Sequence, residues 1–216
     1  IFADLPTPPL GLSNQEKAHL MRTSIQRLEN YQNHQNYAKL FTTSFRDLAD
    51  EYYLEDKEKY QQLDHIDQYL EHKRECFIKE LESCRETGRL FFSQPIDQSV
   101  IDFVRADPEI ETGIRQGNML YVSKIPYMAK DYLEATDTRL KRYFACHCPW
   151  ARESILQDEG PVSAEFCKCS AGFHKKALEV IFEQPLHAEV LESVLKGDMR
   201  CRFAIYLPDK RITSTW

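Results

Sequence analysis

Two alternating runs stand close together near the C-terminus, His187–Leu195 ("HAEVLESVL") and Arg200–Leu207 ("RCRFAIYL"), with only Lys196-Gly-Asp-Met199 between them. Alternation of apolar and polar side chains is the period of a half-buried strand, and Gly-Asp in a short link is hairpin chemistry. The pair therefore folds back on itself and needs an apolar partner on one face. With Leu195 opposite Arg200, Val194 faces Cys201 and Glu192 faces Phe203. Val190, Glu192 and Val194 then share the core side with Cys201, Phe203 and Ile205, which leaves Glu192 inward. A carboxylate there needs a cation, a donor or water. A slip of one residue would turn it outward.

The first part of the chain has a different period. Ser13-Asn-Gln-Glu16 is a capping box, and Leu20, Ile25, Leu28 and Tyr31 follow at helical spacing, which predicts a helix over 14–32. Tyr37, Leu40, Phe41, Phe45 and Leu48 suit one face of a second helix. Tyr60, Leu63, Ile66, Leu70, Phe77, Leu81 and Cys84 form the stripe of a third, over 57–86, with Thr87-Gly88 as its stop. Cys76 and Cys84 read as small apolar residues in or beside its core face. Two short helices are expected around Asp107-Pro108, and Met119–Pro126 suits strand or helix. Further helices are expected over about 127–135 and 171–183. The fold class is α+β: a helical N-terminal region, 1–90, packed on a small antiparallel sheet within a cysteine-rich region, 91–216, that holds the later helix and the hairpin.

A chain of 216 residues buries roughly 70% of its unfolded surface and needs no staples to fold. Its net charge of −6 excludes the electrostatic footprint of a nucleic-acid binder. No apolar run approaches the roughly 18 residues of a membrane span. The stretch "IFADLPTPPLGLSNQE" lacks the basic and apolar regions of a secretory signal. Seven cysteines make an odd count, which argues against a secreted disulfide scaffold and favours the cytoplasm.

Four of those cysteines come as two pairs, Cys146/Cys148 in "FACHCPW" and Cys167/Cys169 in "FCKCSAGF". On extended backbone, residues i and i+2 point the same way, so one pair can share a metal. On a helix they lie about 200° apart, and only one can serve. Cys148 precedes Pro149, which favours extended geometry for the first pair. Ser163 can cap a helix running through the second. With Cys201 from the hairpin the set is five soft ligands, suited to zinc or an iron–sulfur cluster. Candidate metal ligands are thus Cys146, Cys148, Cys167, Cys169 and Cys201, with His147, His174 or Glu192 as supplements. His147 is expected to face solvent, and His174 to be a surface helix residue. Free buried thiols, thiol–disulfide chemistry and a catalytic thiol are the competing readings. Tyr121, Tyr127, Tyr132 and Tyr143 suit core positions or the wall of a pocket. Nucleotide-binding glycine loops, the nucleophile elbow and the zinc-protease helix are all absent.

The segment "FCKCSAGFHKKALEVIFEQPLHAEVLESVLKGDMRCRFAI" resembles the 4-vinyl-reductase-type domain, with Cys167, Gly172, Glu192, Gly197, Asp198, Cys201 and Phe203 at matching positions. It is also similar to small bacterial proteins of the L-2-amino-thiazoline-4-carboxylate hydrolase-like kind. The resemblance implies an α+β domain that encloses a small apolar or aromatic ligand, holds zinc through cysteines and dimerises. The cysteine that family often carries eight residues before its Cys-x-Phe is Ser193 here, and the pairs Cys146/Cys148 and Cys169 are expected to take over ligation. Cys146, Cys148, Cys167 and Cys201 form the first-choice set. The expectation is a zinc-binding protein with a small-molecule pocket. A metal-dependent hydrolase of a small amide or cyclic amidine, with Glu192 as general base, is the alternative. A thiol-redox protein is the second.

Overall fold

A computed structural model describes residues 10–31, 41–42, 48–63 and 65–208. The helices are α1 (Asn14–Tyr31), α2 (Leu54–Gln61), α3 (Ile66–Thr87), α4 (Gln98–Ala106), α5 (Ala129–Glu134), α6 (Thr138–Ala145) and α7 (Lys168–Phe182). The strands are β1 (Ile114–Gln116), β2 (Met119–Ser123), β3 (Ala188–Glu192) and β4 (Arg202–Tyr206), in one antiparallel sheet of order β1-β2-β4-β3. Helices dominate before the sheet, and the fold is α+β.

Helix α1 starts as its capping box dictates. The Ser13 N–H donates to Glu16 Oε2 at 2.8 Å, and the Glu16 N–H returns to Ser13 Oγ at 3.2 Å. The second helix expected from Tyr37 to Leu48 lies largely outside the described residues; Phe41 within it is buried against Phe166. The third is broken. The stripe from Tyr60 to Cys84 is periodic throughout, yet α2 ends at Gln61 and α3 begins after an extended His65 (φ −140°, ψ 152°). On one continuous helix Tyr60 and Tyr69 would project about 180° apart. The break brings their rings to 6.0 Å, edge to face, and lets the Tyr69 hydroxyl donate to Asp56 Oδ1 at 2.8 Å. Gly88 ends α3 in the left-handed conformation, φ 71°, as the Thr87-Gly88 stop predicts. Cys84 is buried, whereas Cys76 is exposed beside His72.

Only one helix, α4, forms near Asp107-Pro108. The segment after it turns into β1 and β2, which settles Met119–Ser123 as strand. The inner face of the sheet carries Leu120, Val122 and Ile205 against Leu178, Ile181 and Phe182 of α7 and Tyr69 and Leu70 of α3. A second cluster joins α3, α4 and α5 through Leu81, Val100, Ile101 and Ala129. The third packs Ile25 and Phe41 against Cys146, Phe166, Val194 and Leu195. Side chains from before residue 90 thus share every cluster with those after it.

The hairpin forms, with a different register. Ala188 pairs with Ile205 and Val190 with Phe203, two residues from the expected alignment, so the same side chains keep the core face. A bulge between Val190 and Glu192 then adds one residue and sets Glu192 opposite Arg202. The bulge corrects the inward placement of Glu192. Its carboxylate turns out and takes the Arg200 fork at 3.0 Å on each oxygen. Val194 and Leu195 leave the strand altogether and drop into the buried cluster.

Candidate functional site

Three stretches far apart in the chain deliver five cysteines to one hole of about 20 Å³, lined by Cys146, Cys148, Cys167, Cys169, Cys201 and Lys124 among others. Cys146 follows the last turn of α6, which Asp137 caps at its start by accepting the Leu140 N–H at 2.8 Å. Its backbone is extended (φ −77°, ψ 115°), the geometry expected of the first pair. Cys148 aims its N–H back at the Cys146 sulfur. The second pair is helical. A short turn, Ala164–Cys167, leads from Ser163 into α7, so Cys167 and Cys169 diverge. Cys169 also lines a groove on the other side of α7. Helix α7 needs Gly172: a Cβ there would stand 2.4 Å from the Thr42 carbonyl oxygen.

Cys201 arrives from the hairpin loop. Its thiol bonds with that of Cys167, and the Val194 N–H donates to its sulfur. Ser193, fully buried, places its hydroxyl 3.0 Å from Cys167 Sγ and accepts the Leu195 N–H at 3.1 Å. Ser193 is therefore inside the cluster. The electrostatics differ among the thiols. Burial, reinforced by the Cys148 and Cys201 sulfurs, pushes the Cys146 thiol well above its ordinary value. The hydrogen bond to Cys201, with burial behind it, raises Cys167 as well. That same bond, with the Val194 N–H and the Lys124 charge, holds Cys201 below its ordinary value against burial. Among the described residues, no three His, Cys, Asp or Glu side chains stand as a group that could hold a metal ion. All seven cysteines are free thiols.

The hole shares a wall with a larger cavity. Lys124 and His147 line both, and Phe92, Ser93, Glu111, Tyr127 and Phe173 complete the second, of about 240 Å³. His147 is not solvent-facing: Nε2 donates to the Ile125 carbonyl at 2.6 Å, and its ring meets Tyr127 at 5.3 Å and Phe92 at 6.0 Å. His174 is not a surface residue either; its half-buried ring lies 5.3 Å from Phe203. Of the four tyrosines, Tyr127 enters the cavity, while Tyr121 lies under the Arg202 guanidinium. Glu192 lines neither space.

Sequence reasoning missed Phe92, Ser93, Glu111 and Lys124. The Gly117-Asn118 link between two apolar runs was a hairpin signal for β1 and β2. Following it places Lys124 at the end of β2, where its N–H donates to the Cys201 carbonyl at 3.0 Å. Nothing in the local pattern points to Phe92 or Glu111.

A groove of about 610 Å³ beside α7 is rich in charge but internally neutralised: Lys57 pairs with Glu183, Lys176 with Asp50 and Lys175 with Glu179. No helix among the described residues is long and apolar enough to cross a membrane. Compared with protein-family models, curated proteins and solved structures, the chain matches none.

Proposed function

We propose that the chain is a zinc-binding protein of the cytoplasm whose metal centre adjoins a small-molecule pocket. One observation carries the reading: five cysteines from three distant segments line a single hole of about 20 Å³. That is room for about one water molecule or one ion, and too little for an organic ligand. Cys146, Cys148, Cys167 and Cys201 are the proposed ligands; their thiols already influence one another's ionisation. Zinc prefers four sulfurs at about 2.3 Å, so the two sides of the hole must draw together on binding. Backbone N–H groups directed at Cys146 and Cys201 stabilise the thiolates that a soft ion requires. Lys124 offsets part of their charge. The resemblance to the 4-vinyl-reductase-type domain supports the same reading.

The hydrolase alternative loses its base, since Arg200 holds the Glu192 carboxylate outside both cavities. The Cys167–Cys201 thiol contact favours the thiol-redox alternative as the second reading. Elemental analysis of the purified protein separates the two. One zinc per chain, lost with the Cys146→Ser and Cys201→Ser variants, supports the metal centre. Absence of metal together with a Cys167–Cys201 disulfide in peptide mapping would overturn it.

A further inference from the structure

We propose that the cavity bounded by Phe92, Glu111, Lys124, Tyr127, His147 and Phe173 binds a small planar organic anion, its charge on Lys124 and its plane among the aromatic rings. The inference rests on reading this cavity as the small-molecule pocket, and goes beyond it by naming the charge of the ligand. At about 240 Å³ the space falls below the roughly 300–1,000 Å³ of drug-sized sites, so the occupant is about one ring in size.

The polar wall sets the charge. Lys124 is half-buried, and its ammonium has no carboxylate at ion-pair distance among the described residues. A partly desolvated cation with no carboxylate at ion-pair distance favours an anion from solution. Glu111 lines the same cavity, and burial raises its carboxyl against the pull of Lys124 and Lys73. Glu111 Oε1 already accepts the Ile125 N–H at 2.9 Å. An apolar aromatic occupant would leave the ammonium without an ion pair inside the cavity.

The backbone around the cavity is strained at three residues. Phe92 (φ 45°), Ser93 (φ 66°) and Glu111 (φ 63°) are left-handed without being glycine, and all three line this one space. Phe92 and Ser93 are the centre of a tight turn closed by paired Phe91–Gln94 hydrogen bonds of 2.9 and 3.0 Å, positions where glycine and asparagine are usual. The buried Gln94 amide fastens that turn, donating to the Pro126 carbonyl at 2.9 Å and accepting the Ala129 N–H at 2.7 Å. Glu111 sits in a three-residue turn closed by Thr112 N–H to Ile110 O at 2.8 Å. Strained residues of this kind persist where the surroundings over-determine them and gather at ligand sites. Here the strain holds a half-exposed Phe92 ring edge-on to His147, at the mouth of the cavity.

Lys124 also faces the Cys146 and Cys201 sulfurs across the shared wall, so the test uses both metal-loaded and metal-stripped protein. Calorimetric titration with benzoate, benzamide and benzamidinium compares three probes of one shape and different charge. Benzoate should bind about tenfold tighter than benzamide, with benzamidinium the weakest. Lys124→Met should abolish the preference for benzoate over benzamide, and Phe92→Ala should weaken both. Benzamide or benzamidinium binding as tightly as benzoate to the wild-type protein would overturn the anion while leaving the pocket. Failure of every probe to bind at millimolar concentration would overturn both. The zinc content of the same samples reports on the metal centre independently, and the wild-type comparison decides the matter even if Lys124→Met does not fold.

Discussion

Glu111 shows how a single residue can lie outside the reach of local pattern. In the sequence it is one acid in "EIETG"; in the fold it is half-buried in a strained turn, and burial raises its carboxyl above the ordinary range despite Lys124 and Lys73. The direction determines a pH effect. A raised folded-state value favours the protonated form, so its contribution is complete below the ordinary carboxylate range, about pH 4, and is lost as pH rises through the raised value. Glutamine keeps the acceptor for Ile125 and never ionises. Glu111→Gln should therefore melt above the wild type at pH 8, with the two curves meeting near pH 4; parallel melting curves across that range would contradict the shift. Ser193 is the opposite kind of residue, one the sequence reading singles out before its place in the fold is known. Its hydroxyl, 3.0 Å from Cys167 Sγ, shows that a sixth sulfur there would enter the cluster. Ser193→Cys should raise zinc affinity in a competition titration with a chelator, and unchanged affinity would remove this position from the metal centre.

At the scale of elements, the hairpin was legible because alternation and a Gly-Asp turn are local signals. Its register was not, because the bulge is set by what the strands must meet. The shift of two residues preserved the core face, and the bulge moved Glu192 from the core side to the arginines. Arg202 in turn forks onto Glu109 at 2.6 Å to each oxygen, which lowers that carboxyl. The sign here is the reverse of Glu111: this stabilisation is present above the ordinary carboxylate range and is lost as pH falls through the lowered value. Glu109→Gln should cost about 1.5–3 kcal/mol at pH 7, as for hydrogen bonds to charged groups, with a smaller difference at about pH 3. Urea unfolding at both pH values would check it. Helix α7 makes a similar point about close approach. Gly172→Ala would drive a methyl into the Thr42 carbonyl and should cost about 1–3 kcal/mol, read from the same transition.

Across the whole molecule the thiol cluster is also a tie, joining the end of α6, the start of α7 and the hairpin loop. A ligand at a thousandfold excess over its Kd stabilises by about 4 kcal/mol, and a chain this size shifts by about 2–4 °C per kcal/mol. Chelation should therefore lower the melting temperature by about 10 °C in scanning calorimetry, and zinc should restore it; an unchanged melt would separate the thiols from any stabilising metal. By itself the sequence determined what is local: which segments alternate, which are helical, where α1 begins and α3 ends, and which thiols are soft donors. Those properties follow from backbone geometry repeated over a few residues. Tertiary structure decided what depends on neighbours from elsewhere in the chain. It broke the long helix so that Tyr60 and Tyr69 could meet, turned Glu192 outward, gathered five sulfurs from three segments, and set Phe92, Glu111 and Lys124 around one cavity. No local period encodes such convergence, because burial and charge depend on every element packed against a side chain.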